Sequence, residues 1–299
     1  MMNKDILVKL KNPLVRDMYW LLSSSSPIGE GKLADLPLFP EAWLDEIVAE
    51  HESFFYAIDE SPQSLIAFVS NIKSTRMGVY AETLLTYFFE RSPFIELKLS
   101  NFQLIVEKQT IGEVDFIISW RGKLISIELA VKYYLARIST SVLSEWIGSA
   151  GNDNLSKKIN KVIHHQLGVV KNDDFISQTR LNPNHSFFLL KGRFYTHNAY
   201  QPNWKNSTAI FGKYYFWSEI KNELAKNNKS YLILKRPAWL ASIDCLDSDS
   251  TETIPSITSK IKDLMEKYKS LHFVEKNTKK TFFVVQDDWP TLRKLDAHQ

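Results

Sequence analysis

Residues 112–135 read GEVDFIISWRGKLISIELAVKYYL. Two runs rich in β-branched and aromatic side chains, 113–120 and 123–134, flank Arg121-Gly122. Strand-favouring residues on either side of a tight-turn dipeptide predict a β-hairpin. Successive side chains on a strand point to opposite faces. Glu113, Asp115, Ile117 and Ser119 are therefore expected on one face of the first strand, with Val114, Phe116 and Ile118 on the other. On the second strand Ser126, Glu128, Ala130 and Lys132 share a face, opposite Ile125, Ile127, Leu129, Val131 and Tyr133. Charges on strands this apolar are costly to bury unless they are paired or bound to a cation.

Outward from the hairpin, the pattern alternates between helix and strand. Val79, Leu84, Leu85, Phe88 and Phe89 form an apolar stripe that predicts a helix over 76–90, ended by Pro93. A strand is expected over 102–107 and a helix over 153–167. Further strands are expected over 186–190, 231–234 and 281–285, and a last helix over 259–271, where Ile261, Leu264, Met265, Tyr268 and Leu271 recur at helical spacing. Residues 1–70 read as mainly helical, with helices over 14–22 and 40–48 and breaks at Pro27, Pro37, Pro40 and Pro62. This order argues for a mixed α/β fold with a helical N-terminal part.

The chain has 299 residues, 44% hydrophobic and 24% charged, with eight Trp, twelve Tyr and eighteen Phe. That supply of apolar surface excludes a disordered chain. Cys245 is the single cysteine, which excludes an internal disulfide framework and a Cys-only zinc site. No apolar run is long enough to span a membrane, and Lys9, Lys11, Arg16 and Asp17 break any secretory core, so the expected location is the cytoplasm. The net charge of +3 is too balanced to imply a nucleic-acid partner alone. Residues 155–195, however, carry seven bases against Asp173 and Asp174. No serine-hydrolase elbow, phosphate-binding P-loop or dinucleotide fingerprint occurs.

Hairpin pairing brings Asp115 and Glu128 together. Two close carboxylates repel unless a cation lies between them. Mg²⁺ takes such oxygen ligands while keeping several waters. Lys132, on the same face, would orient a water or stabilise phosphate charge, and the set reads as a site for metal-assisted phosphodiester hydrolysis. On periodicity alone, a plain ion pair of Lys132 with Glu128 or Asp115 on a solvent-facing sheet is the competing reading.

Several stretches together resemble a bacterial family of uncharacterised proteins, domain of unknown function 1853. They are Gly112 to Phe116, Ile127 to Leu135, Gly78-x-Tyr80-x-Glu82, Trp146-Ile147-Gly148 with Asn152-Asp153-x-Leu155, Lys158, His165-Gln166-Leu167, Trp239-Leu240 and Trp289-Pro290. The resemblance runs from about residue 10 to residue 292. That family is grouped with the PD-(D/E)XK nuclease-like superfamily. The resemblance implies a restriction-endonuclease-like αβββαβ core over 71–200, a helical part over 1–70 and an α/β extension over 201–299 packed on the core. It also implies a Mg²⁺- or Mn²⁺-dependent nuclease acting on DNA or RNA. Carried over, Asp115 and Glu128 match the metal-binding acids, the Leu129 carbonyl a further ligand, Glu82 the acid of the first core helix, and Gln166 a polar residue approaching the site.

The superfamily places its lysine two residues after the second acid, where this chain has Ala130. Lys132 then takes that role from two residues further on. The same departure supports a second expectation, a catalytically inactive nucleic-acid-binding or assembly module on the same fold.

Lys157, Lys158 and Lys161 are expected to contact nucleic-acid phosphates, with Lys157 and Lys161 on one helix face. Glu113 is expected to support the site or to close a surface ion pair. His164 and His165 are adjacent and so point apart, and His165 is expected in the core or at a cap. Trp204, Trp217 and Trp239 are expected to pack rather than to stack on bases. Cys245 is expected to be a packed thiol.

Overall fold

The computed structural model describes residues 4–198, 200–224, 231–241 and 257–290; Cys245 and the acidic run 247–253 lie outside them. Five helices form the N-terminal part: α1 (Lys4–Lys9), α2 (Pro13–Ser23), α3 (Glu41–Glu50), α4 (Glu52–Glu60) and α5 (Gln63–Ser70). Asn12 caps α2 through its side chain, and Pro13 occupies the first turn, where a missing N–H costs nothing. Then follow α6 (Met77–Arg91), β1 (Ile95–Val106), β2 (Gln109–Trp120), β3 (Lys123–Ala136), β4 (Trp146–Gly148), α7 (Leu155–Lys161), α8 (Asp173–Thr179) and β5 (His185–Thr196). The last elements are β6 (Gly212–Phe216), α9 (Trp217–Leu224), β7 (Tyr231–Leu234), α10 (Ile257–Lys267), β8 (Ser270–Glu275) and β9 (Thr281–Val285).

All the strands join one mixed sheet in the order β1-β2-β3-β5-β6-β9-β8-β7, with β4 beside the end of β3. β1, β2 and β3 run antiparallel, β3-β5-β6-β9 parallel, and β9-β8-β7 antiparallel again. Helices flank both faces. Ile125, Ile127, Leu129, Val131, Tyr133 and Leu135 pack against α2, α3 and α6, while Ala130, Tyr134 and Ala136 face α7 and the segment Ile28 to Leu38. This is the alternation expected for the second hairpin strand. Arg121 and Gly122 both take positive φ, as the two central residues of the tightest hairpin turn require.

The structure also departs from the sequence reading. The predicted last helix stops at Lys267, and Leu271 lies in β8. Its apolar pattern continues across the boundary because one face of β8 packs on the same cluster as Ile261 and Met265. Helix 153–167 is α-helical only to Lys161 and continues as a π turn over Val162–Gln166. His165 is exposed rather than buried. On β2 the expected alternation breaks at Asp115. Phe116 and Ile118 face α6, but Val114 packs with Ile117 in a separate cluster beneath α8. Trp204 and Trp239 are buried in the packing, as expected.

β2 pairs with β3 only from Phe116 to Trp120, opposite Ile127 to Lys123. β3 runs on beside β5 to Ala136, and β4 covers its other edge only from Tyr134. The sheet thus forks at Asp115 and Glu128. The partner strand is held close at Gly192, paired with Lys132, where φ is +128° and a Cβ would lie 1.8 Å from the Lys132 carbonyl oxygen. Gly192→Ala is expected to destabilise the protein by about 1–3 kcal/mol through backbone strain, read as a lowered midpoint in urea unfolding.

Candidate functional site at a fork in the sheet

Where β2 leaves β3, the Leu129 N–H has no strand partner on that side. It donates instead to Asp115 Oδ2 at 2.7 Å, so the side chain replaces a ladder carbonyl and is fixed by it. Glu128 is the next residue of β3, on the α7 face, and is 5% exposed. The two carboxyls are close enough to act on each other electrostatically. Burial, the largest effect, pushes the Glu128 carboxyl up to about 7, and the Asp115 charge adds to it. Asp115 is also raised, by burial first, with the Leu129 N–H and Lys158 pulling the other way. Glu82, on α6, is raised by burial and then by the charges of Asp115 and Glu113. Glu113 itself accepts from Gln103 Nε2 at 2.9 Å on the exposed hairpin surface.

The cation at this centre is Lys158. Asn154 caps α7 by accepting from the Lys157 N–H, which sets the helix phase so that Lys158 turns inward while Lys157 and Lys161 stay exposed. Lys158 Nζ donates to Glu128 Oε1 at 2.9 Å and to Gln166 Oε1 at 3.0 Å, its side chain only 13% exposed. An ammonium has three N–H donors, so one is left for a further acceptor. Gln166 ends the π turn, and such a turn shifts the helix phase, often at functional sites. The centre thus gathers Asp115, Glu128, Glu82, Lys158 and Gln166.

Lys132 is not in that group. It shares the β3 face of Glu128 but forms an ion pair with Asp153 Oδ2 at 2.6 Å, an oxygen that also accepts from Tyr134 Oη at 2.9 Å. β4 explains the pairing, because its bond from Gly148 N–H to the Asp153 carbonyl holds that loop over the far end of β3. Asp153 belongs to one of the stretches that carry the family resemblance, which assigns it no role. Its charge removes Lys132 from competition for the carboxyl pair.

An open cleft of about 640 Å³ lies along the uncovered edge of β3. Lys132, Asp153, Lys157, Lys158 and Lys161 line it, together with Arg76 and Arg236, which carry no sequence motif. Six cations thus face a single acid there. The cleft reaches the carboxyl centre through Lys158 and through Gly78, where a Cβ would lie 3.6 Å from Glu82 Oε1.

No group of three or more His, Cys, Asp and Glu side chains among the described residues is arranged to hold a metal. The donor chemistry nevertheless suits a hard cation: two adjoining carboxyls, both shifted upward by burial first and only partly balanced by Lys158, beside a backbone carbonyl at Leu129. Mg²⁺ needs few protein ligands of this kind because it keeps water.

A family model described as Domain of unknown function (DUF1853) matches residues 16–283. The chain belongs to that family. The resemblance read from the sequence holds at that level, and the matched DUF1853 region includes every residue of the carboxyl centre and every lining residue of the cleft. Searches of curated proteins and of solved structures gave no match. No helix among the described residues is long and apolar enough to cross a membrane.

Proposed function

We propose that the protein is a divalent-metal-dependent nuclease with a PD-(D/E)XK-like core. The order α6-β1-β2-β3-β4-α7-α8-β5 supports this reading, since without the three-residue β4 and the short α8 it follows the αβββαβ succession. The observation that carries it is the pair Asp115, half-buried, and Glu128, buried, at a sheet fork, with Lys158 bonded to Glu128 and a cleft with six cations beside them.

Asp115, Glu128 and the Leu129 carbonyl would hold Mg²⁺ or Mn²⁺, which supplies Lewis-acid activation of water and charge stabilisation on phosphate. The chain's own residues do the rest. The cleft cations draw in the polyanion and hold its backbone. Lys158, with its remaining donor, stabilises charge on the phosphate undergoing attack. Glu82 supplies another carboxylate from α6. Lys158 brings an ammonium to Glu128 from a helix, whereas the superfamily keeps its lysine on the strand, at the position of Ala130 here. The assignment is tested by cleavage of labelled oligonucleotides by the purified protein with Mg²⁺, Mn²⁺ or EDTA. Metal-dependent products that disappear with Asp115→Asn are expected. Equal cleavage by Asp115→Asn would overturn the assignment.

A catalytically inactive nucleic-acid-binding module is the second reading, favoured by Ala130 at the usual lysine position. It predicts oligonucleotide binding that needs no metal, with no cleavage under any of these conditions.

A further inference from the structure

Four cations lining the cleft have no ion-pair partner among the described residues: Arg76, Lys157, Lys161 and Arg236. They come from three separate places in the chain, the N-cap of α6, the exposed face of α7 and the segment after β7. Like charges gathered from distant elements repel unless something anionic lies between them. Arg236 also has its guanidinium carbon 4.6 Å from the Trp239 ring centroid. A guanidinium plane backed by an aromatic ring leaves its other face for a stacked base.

The dimensions narrow the ligand. About 640 Å³ falls within the range of pockets that enclose small organic ligands. Glu128, below the cleft, is only 5% exposed. The backbone of a rigid duplex lies on its convex outside, so its phosphates would rest on the rim. An unpaired strand can bend into a narrow charged groove and stack its bases on planar side chains.

We infer that the cleft takes single-stranded nucleic acid, with Arg76, Lys157 and Lys161 on phosphates and Arg236 stacked on a base. The inference rests on the nuclease reading for the identity of the polymer, but its test does not depend on turnover. Fluorescence anisotropy in EDTA is measured with a labelled deoxythymidine homo-oligomer, its uridine counterpart and a blunt DNA duplex of the same length. At least one single strand is expected to bind about tenfold more tightly than the duplex. Arg76→Ala and Lys157→Ala are each expected to lower the slope of log affinity against log salt by about 0.7. Arg236→Ala is expected to weaken single-strand binding about fivefold or more, with the melting temperature unchanged. Duplex binding as tight as both single strands, or unchanged binding in all three variants, would overturn the inference. Absence of metal-dependent cleavage alongside the expected binding would instead reject the nuclease reading and leave the single-strand site standing.

Discussion

Glu128→Gln is expected to abolish metal-dependent cleavage and, in the absence of metal, to make the protein more stable above pH 7. The loss of activity should be about a thousandfold or more, because removing one of the two carboxyls that would hold the ion forfeits several kcal/mol of charge stabilisation. The gain in stability follows from the Glu128 carboxyl, whose affinity for a proton rises to about 7 on folding. Between the ordinary carboxylate range and about 7, the folded chain holds a proton that the unfolded chain has released. Stability therefore falls as pH rises through that window, and the full cost of the buried charge is present by pH 8. Glutamine is neutral throughout and escapes this cost, which amounts to about 3 kcal/mol at most. The difference in melting temperature should be near zero at pH 5 and about 5 °C in favour of the variant at pH 8. Added Mg²⁺ should raise the melting point of the wild type and leave the variant unmoved. A variant less stable than wild type at pH 8 would show Glu128 to be a structural partner of Lys158, with no cost to relieve.

Much of this arrangement is legible in residues 112–135. Arg121-Gly122 marks the hairpin, and the apolar alternation of 123–134 gives the two faces of β3. Adjacency of Asp115 and Glu128 follows from the hairpin alone. The fork is not legible, because it depends on where β2 stops pairing with β3. That point is set by bonds such as Leu129 N–H to Asp115, which a single strand's pattern does not encode. The same holds for Lys132. Its face follows from the alternation of β3, but its partner Asp153 lies 21 residues away on a loop held by three residues of β4. Strand β8 is hard to read in the sequence for a related reason: Leu271 continues the apolar spacing of α10 into a strand that packs on the same cluster. Arg76 and Arg236 are brought to one cleft only by tertiary packing.

The two lysines separate the sequence reading from the structure most sharply. Lys158→Met is expected to lower the cleavage rate by about 10²–10³, the usual loss when one donor aimed at developing charge is removed. Lys132→Met is expected to stay within a few-fold of wild type, since its ammonium is engaged by Asp153. Stability should divide them as well. Lys158 is the cation against which the raised carboxyls are partly balanced, and removing one member of a buried pair typically costs 3–5 kcal/mol. Protonation offers the variant a way out. Without Lys158 the carboxyls bind protons more tightly, so Lys158→Met should be strongly destabilised at pH 8 and recover toward wild type near pH 5. The Lys132–Asp153 pair is about one-third exposed on both sides, and loss of such a pair is expected to cost less than about 1 kcal/mol with little pH dependence. Melting curves of both variants from pH 5 to pH 8, set beside their single-turnover rates, decide the matter. If Lys132→Met lost the rate and Lys158→Met kept it, the ammonium on β3 would be the working one, and the bond from Lys158 to Glu128 would be structural only.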